Sequence, residues 1–256
     1  MVGALPESPP QPEHRRAVIE LAAREPLDYE PGSRSRYSDL GFILLGALVE
    51  KCLGERLDVL ASRWWWQPLG LRHLGFVDLL GGPSFIDAAG LAVAPTERCP
   101  VRGRVVRGEV HDLNAYVMGG IAGHAGLFGS VGDVLELGFA LAAAYHGRGV
   151  AGGAPLVPPE VLREFWRPAG IPGSTWRLGW DGPAAQGSLA GSLISRRAVG
   201  HLSFTGCSLW IDPEAEACVV VLANRVHPEA RDDPRFRALR PALHDAALQA
   251  IGYRAR

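Results

Sequence analysis

The sequence predicts an α+β fold in which an antiparallel sheet is flanked by helices. Residues 13–174 contain helical patterns joined by loops rich in glycine and proline. From residue 175 the pattern changes to short strand-like runs separated by turns, and a helical pattern over residues 236–251 follows them. Helices and strands that are segregated along the chain in this way are typical of α+β proteins.

The helical part begins with a short amphipathic helix over residues 13–25, which Pro26 ends. A second helix is predicted over residues 39–53, with Ser38 as its N-cap and Gly54 as its end. Because this second helix is apolar almost all round, we expect it to be buried.

A third helix is predicted over residues 57–66 and contains three consecutive tryptophans. They cannot all face one core, so we expect some of them to pack against a segment outside this chain. Residues 119–129 contain five glycines and predict a loop in which the backbone passes close to other groups. Two further helices are predicted, over residues 131–146 and after the Pro158-Pro159 pair.

The strand-like runs lie at residues 175–180, 198–204, 207–212 and 217–224. The sequence DPEAEA predicts a hairpin between the last two. Residues 1–12 are rich in proline and predict a flexible N-terminal segment.

Composition excludes several classes of function. The chain has 256 residues and a net charge of -1, which gives no electrostatic reason to expect binding to nucleic acid or to an anionic membrane. No apolar run approaches the roughly 18 residues of a membrane-spanning helix. The first residues lack the pattern of a signal peptide, so the sequence as written predicts a cytoplasmic protein, and an export signal in a missing upstream segment is the alternative.

The four cysteines have neither CxxC nor zinc-ligand spacing, and we expect no metal and no cofactor. Three polar stretches remain: Tyr37-Ser38-Asp39, the glycine loop around His124, and the run from His201 to Gly206. Taken singly, each has a purely structural interpretation. The first would be a tyrosine at the start of a helix. The second would be a polar side chain that hydrogen-bonds to the backbone of a loop, and the third a surface histidine on an edge strand.

In this order, and with the sequences PGSRSRYSDLGFILLG, GGIAGHAGLFGS and GHLSFTGCSLWIDP around them, the three stretches resemble the β-lactamase-related serine hydrolases. This family includes class C β-lactamases, D-Ala carboxypeptidases and related esterases. The resemblance covers roughly residues 14–252. It implies a β-lactamase/transpeptidase-like fold with a helical subdomain. Residues 13–256 would then be a partial domain, with a helical part at 13–174 and the sheet and last helix at 175–256.

The resemblance also implies site residues. Tyr37 would be the general base and Asp39 would orient the groups around it. His201 would anchor a substrate carboxylate, and the backbone N–H of Phe204 would complete an oxyanion hole. His124 would lie in a loop that contacts substrate, and Ser203, which replaces a glycine of the family pattern, would narrow the site. The expected substrates are an ester, a β-lactam or a D-amino-acid peptide.

The sequence departs from the family at the nucleophile. Lys51 is the only lysine and Leu48 precedes it by three residues, so no Ser-x-x-Lys is present. Two explanations stay open: a fragment of a longer enzyme, which we favour, or a non-catalytic pseudoenzyme that binds a cell-wall-like peptide or a protein partner. The fragment explanation predicts apolar surface exposed along residues 39–53 and at Trp64–Trp66, through which the chain could also form an oligomer.

Overall fold

The computed structural model describes residues 9–82, 92–231 and 233–254. Most of the predicted flexible segment, at residues 1–8, lies outside the described residues. Contacts group the chain into two compact units. Unit 1 comprises residues 1–30, 36–130 and 226–230, and unit 2 comprises residues 31–35, 131–225 and 231–256.

Unit 1 is mainly helical. Its helices are α1 (Pro12–Arg24), α2 (Asp39–Leu53), α3 (Leu57–Ala61), a π-helix (Ser62–Trp66), α4 (Gln67–Leu69) and α5 (Leu113–Val117). Its strands form two antiparallel pairs, β1 (Leu74–Phe76) with β4 (Leu127–Gly129) and β2 (Arg98–Cys99) with β3 (Arg104–Val105). The predicted third helix is therefore present, but its tryptophans lie in a π-helical turn.

The bounds of α2 are those predicted from its flanking residues. Gly54 has a left-handed backbone and its N–H donates to the Glu50 carbonyl. Ser38 is the N-cap residue, as predicted, with an extended backbone, but its side chain makes no cap hydrogen bond. The expectation that α2 is buried all round is wrong, because only Ile43 and Gly46 are buried in it.

The core of unit 1 lies between α1, α2, α5 and the segments beside α5. Its buried members are Val18, Ala22, Ile43, Val110, Ala115, Met118 and Ala122. The start of α2 and the glycine loop after α5 both contribute side chains to this core. The first two polar stretches of the sequence therefore belong to one packed unit.

Unit 2 contains the sheet. Its elements are α6 (Val131–Tyr145), a 3-10 turn (Val150–Gly152), α7 (Pro159–Phe165), β5 (Val199–Leu202), β6 (Ser208–Asp212), β7 (Ala217–Val221) and α8 (Pro234–Ala250). The strand order is β5-β6-β7 with both pairs antiparallel, and α6 and α8 pack on β7. The predicted sheet flanked by helices is thus confirmed.

One predicted strand is wrong. Residues 175–180 form no strand, and only Asp181 makes an isolated bridge, to Gly200. The reason is local, because the Arg177 N–H donates to the Trp180 carbonyl and closes a turn where a strand would extend. Within the described residues, no helix has the length and apolar character needed to cross a membrane.

His244 makes the stability of unit 2 depend on pH. Its buried ring in α8 contacts the Ser208 hydroxyl through Nε2 (2.7 Å) and the Leu189 carbonyl through Nδ1 (3.1 Å). Burial lowers the pKa of His244 and is the largest effect; the hydrogen bond with the Leu189 carbonyl raises the pKa by less, and the charge of Arg240 lowers it further. The neutral ring fits this pattern, since Nδ1–H donates to the carbonyl and Nε2 accepts from Ser208.

We therefore expect acid to destabilise the fold through His244. In the unfolded chain the imidazole protonates near its ordinary pKa of about 6.5, whereas the folded chain resists protonation. Stability contributed by the neutral ring is complete above that value and is lost as pH falls below it. Urea unfolding between pH 7.5 and 5 should show a steeper loss for the wild type than for His244→Gln. Parallel pH curves for the two proteins would contradict this assignment.

Candidate active site

Tyr37 and Asp39, the two predicted side chains of the first stretch, contact each other at the start of α2. The Tyr37 hydroxyl donates a hydrogen bond of 2.6 Å to Oδ1 of Asp39. The Tyr37 ring packs against Phe42, with 6.2 Å between ring centroids, and the residue is 49% exposed. The hydrogen bond to Asp39 thus sets the direction of the Tyr37 O–H group, while about half of the residue stays exposed.

The surroundings of Tyr37 favour the protonated phenol. Burial raises the pKa of Tyr37, and the hydrogen bond to Asp39 and the negative charges of Asp39 and Asp112 raise it further. A phenol that titrates at about 10 in water needs positive neighbours to act as a base at neutral pH. The two carboxylates have the opposite effect, so the use of Tyr37 as a base requires a compensating cation.

His124 is held by Asp112, a residue that sequence reasoning missed. Nε2 of His124 lies 2.8 Å from Oδ1 of Asp112, and the His124 side chain is 1% exposed. In the part of the chain that the structure describes, Nδ1 of His124 has no hydrogen-bond partner. The structure therefore places this ring beneath the surface, where its observed partner is the carboxylate.

Asp112 also caps α5. Its Oδ1 accepts a hydrogen bond of 2.8 Å from the Ala115 N–H. Burial opposes its ionisation, but the hydrogen bonds from His124 and the Ala115 N–H outweigh that effect and lower the pKa of Asp112. The carboxylate is therefore ionised at neutral pH and contributes its charge to the surroundings of Tyr37. An aspartate directly before a short helix was the signal in the sequence, but it indicates only the cap.

The glycine loop that carries His124 is tightly constrained, as its five glycines predict. Gly120 and Gly126 have φ values of 92° and 114°, and a Cβ on Gly126 would lie 2.1 Å from the Gly120 carbonyl oxygen. Gly123 lies against α2, where a Cβ would be 2.2 Å from the Phe42 carbonyl oxygen. The close approach that glycine allows therefore sets where His124 lies relative to α2.

An arginine from α1 ties the loop to α2. One end of the Arg15 guanidinium donates to the Ile121 carbonyl, and Nη2 donates to both oxygens of Glu50 at 2.7 Å. Glu50 also accepts from the Leu57 N–H at 2.8 Å. Both charged side chains are largely shielded from solvent, which strengthens the ion pair relative to a surface pair. This network joins four segments of unit 1: α1, α2, the start of α3 and the glycine loop.

The third stretch lies in unit 2, at the end of β5. His201 contacts the Leu202 carbonyl through Nδ1 (2.8 Å), and its ring centroid lies 5.5 Å from that of Trp176. A carbonyl can only accept, so Nδ1 carries the proton. Nε2 is then an acceptor in the neutral ring and a donor only in the charged one. A carboxylate anchored by Nε2 would require protonated His201.

Ser203 and Phe204 form the turn after β5. The Ser203 hydroxyl contacts the Thr205 hydroxyl at 2.7 Å and accepts from the Thr205 N–H at 3.2 Å. The Gly206 N–H donates to the Ser203 carbonyl and closes the turn. Phe204 is 62% exposed at its tip. The serine that replaces glycine thus stabilises the turn through its hydroxyl.

The predicted residues therefore fall into two groups. Tyr37, Asp39 and His124 come together in unit 1 around Asp112, and His201, Ser203 and Phe204 come together in unit 2. Within the described ranges, no cluster of three or more His, Cys, Asp or Glu side chains has the arrangement of a metal site.

Comparison with known proteins decides the family. The sequence model of the Beta-lactamase family matches residues 3–243, almost the whole chain. The chain belongs to the β-lactamase family. A putative D-alanyl-D-alanine carboxypeptidase of Escherichia coli is 35% identical over 224 residues, which cover 84% of this chain and 50% of that protein. A protein of the same description from Salmonella agona is 32% identical over 222 residues, which cover 83% and 50% of the two chains.

Solved structures of the family share this fold. The simvastatin synthase of Aspergillus terreus matches with a TM-score of 0.62 and 19% identity, over 92% of this chain and 62% of that one. A penicillin-binding protein from Bacillus halodurans matches with a TM-score of 0.60 and 18% identity, over 93% and 62%. The β-lactamase/transpeptidase-like α+β fold predicted from the sequence is thus confirmed. The chain spans about half the length of the curated relatives it matches.

Proposed function

We propose that this β-lactamase-family chain supplies the tyrosine and strand motifs of an acyl-transfer site, and that a Ser-x-x-Lys segment outside these 256 residues supplies the nucleophile. The observation that carries the proposal is that Tyr37 is hydrogen-bonded to Asp39 and is also subject to the negative charge of Asp112. Burial contributes most to the raised pKa of the phenol, and an ammonium group that enters this cluster would offset the contribution of the two negative charges. The lysine of the family motif has this chemistry.

The exposed side of α2 supports the same proposal. Leu45 and Leu48 are 50% and 55% exposed, and Trp64 in the adjoining π-helix is also exposed. Adjacent turns of α2 thus present leucines to solvent in the unit that contains Tyr37. An amphipathic helix with a serine and a lysine one turn apart would cover the leucines and bring its ammonium to the carboxylates.

We propose D-amino-acid peptides as the substrate class, with esters and β-lactams as alternatives. The support is the description of the curated relatives as putative D-alanyl-D-alanine carboxypeptidases, which match this chain at 35% and 32% identity. His201 suits the carboxyl end of such a peptide when its ring is protonated, because Nε2 then becomes a donor.

Acylation by a β-lactam tests the proposal. The present chain, incubated with benzylpenicillin, should keep its mass of 27.4 kDa. The protein isolated from its native source should be longer, and one molecule of benzylpenicillin should attach to a serine in Ser-x-x-Lys. In that longer protein Tyr37→Phe should slow acylation by about 100-fold or more, as expected for loss of a general base.

Two results would contradict the proposal. An adduct on a serine of the present chain would show that the nucleophile lies within it. A native protein of 27.4 kDa that binds without turnover would instead support the second candidate, a non-catalytic binding protein. The observation that favours this second candidate is the raised pKa of Tyr37 in the chain as it stands. Calorimetric titration with N-acetyl-D-alanyl-D-alanine separates the two, because only the enzyme would consume the peptide.

A further inference from the structure

A buried arginine lies behind the turn that follows β5. Arg240 in α8 is 7% exposed, and its Nη2 is 3.5 Å from the Ser203 carbonyl oxygen. Its guanidinium lies 5.0 Å from the centre of the Phe236 ring. In the described part of the chain, Nε of Arg240 has no hydrogen-bond partner. A buried donor without a hydrogen bond lowers the stability of the fold, and the loss is larger when the donor belongs to a charged group.

A second arginine reaches the same turn from the segment after β7. The Arg225 N–H donates to the Thr205 carbonyl at 2.8 Å, and the Arg225 guanidinium lies 4.8 Å from the centre of the Phe204 ring. Burial lowers the pKa of Arg240 and the charge of Arg225 lowers it further. The two cations therefore repel each other across a single turn of the chain.

No carboxylate within the described ranges pairs with either guanidinium. Arg225 donates through Nη1 to the Arg231 carbonyl at 3.0 Å, and this neutral acceptor does not balance its charge. Asp233, at the start of α8, is engaged by Arg235 at 2.8 Å. The Cys207 thiol acts on Arg240 in the opposite sense and raises its pKa by less than burial and Arg225 lower it. Two adjacent positive charges, one of them buried, would be stabilised by an anion.

We infer that Arg225 and Arg240 form a binding site for an oxyanion, a carboxylate or a phosphate group, beside the turn that follows β5. Guanidinium groups present paired N–H donors that match the planar geometry of such anions. The exposed Phe204 ring adds an apolar wall next to the charges. The site does not depend on the proposed function, because it involves neither the tyrosine motif nor a nucleophile.

Thermal unfolding of the present chain tests the site at constant ionic strength. The probes are inorganic phosphate, N-acetyl-D-alanyl-D-alanine and the C-terminal amide of that peptide. The wild-type melting temperature should rise saturably with phosphate, with the carboxylate peptide or with both, and not with the neutral amide. Response to the peptide alone would assign the site to a substrate carboxylate, and response to phosphate alone would assign it to a free oxyanion.

Variants separate the site from general charge effects. Arg225→Gln should weaken the apparent affinity for the anion at least tenfold, and Arg225→Lys should weaken it less. Arg254→Gln removes an exposed arginine of the same unit and should respond as the wild type does. Absence of any saturable response in the wild type, or equal responses in wild type and Arg225→Gln, would overturn the inference.

Arg240→Met gives an independent test that needs no ligand. Methionine keeps the apolar contact with Phe236 but removes the charge, so the melting temperature without anion should stay the same or rise. A melting temperature well below that of the wild type would show that the guanidinium is already compensated by an acid, and would overturn the inference.

Discussion

Replacing Gly123 by alanine is expected to lower the free energy of unfolding by about 3 kcal/mol. A Cβ at this position would lie 2.2 Å from the Phe42 carbonyl oxygen, which belongs to the backbone of α2. No side-chain rotation relieves that overlap, so the glycine loop or the helix must move. Since His124 follows directly, its 2.8 Å contact with Asp112 should be lost as well. Urea unfolding measures the first effect.

Gly41→Ala is the matched control. Gly41 also lies in unit 1, within α2, and nothing lies within 4 Å of an added Cβ. Because alanine is the better helix former, this variant should gain about 0.5 kcal/mol of stability. An added methyl group should therefore lower the free energy of unfolding at Gly123, where it would overlap the backbone of α2, and raise it slightly at Gly41, where it would contact nothing. Wild-type stability in Gly123→Ala would show that the loop does not approach α2 as closely as described.

The sequence predicted α2 accurately in extent but not in burial. Its bounds depend on local signals, a serine before and a glycine after, and Gly54 forms the left-handed end that the sequence indicates. Burial depends on partners, and the exposed Leu45 and Leu48 have none in the described part of the chain that would cover them. An apolar helix therefore indicates that a partner is needed without showing that the chain contains one.

In the candidate site, too, the contacts between neighbours in sequence could be predicted and the contacts that depend on tertiary packing could not. Tyr37 and Asp39 are two residues apart, so their contact follows from the start of one helix. The pairing of His124 with Asp112 joins residues twelve apart through a loop whose glycine backbone cannot be derived from composition. The sequence around Asp112 indicates at most a helix cap, because this aspartate directly precedes a short helix. Its second role, as a charge that acts on Tyr37, arises from the tertiary packing of unit 1.

Arg102→Met is expected to lower the free energy of unfolding by about 4 kcal/mol, because it breaks a buried ion pair from one side. The Arg102 side chain is 3% exposed and lies 3.4 Å from the Glu109 carboxylate. It donates to the carbonyls of Val110 (2.7 Å) and His111 (2.5 Å) and stacks over Tyr116 at 4.4 Å. Its removal would leave the two carbonyls without this donor and would leave the exposed Arg104 as the remaining cation at Glu109.

Arg104→Met tests whether burial, and not charge alone, produces this loss. Arg104 lies 2.8 Å from the same Glu109 carboxylate but is 54% exposed, so its removal should cost about 1 kcal/mol or less. The segment that Arg102 fixes leads directly into Asp112. The Ala115 N–H donates a hydrogen bond to Asp112. Amide hydrogen exchange at Ala115 should therefore accelerate in Arg102→Met and stay unchanged in Arg104→Met. Equal losses of stability in the two variants would mean that Arg102 stabilises the fold through charge alone. The position of Asp112, and with it the charge next to Tyr37, would then not depend on the buried guanidinium.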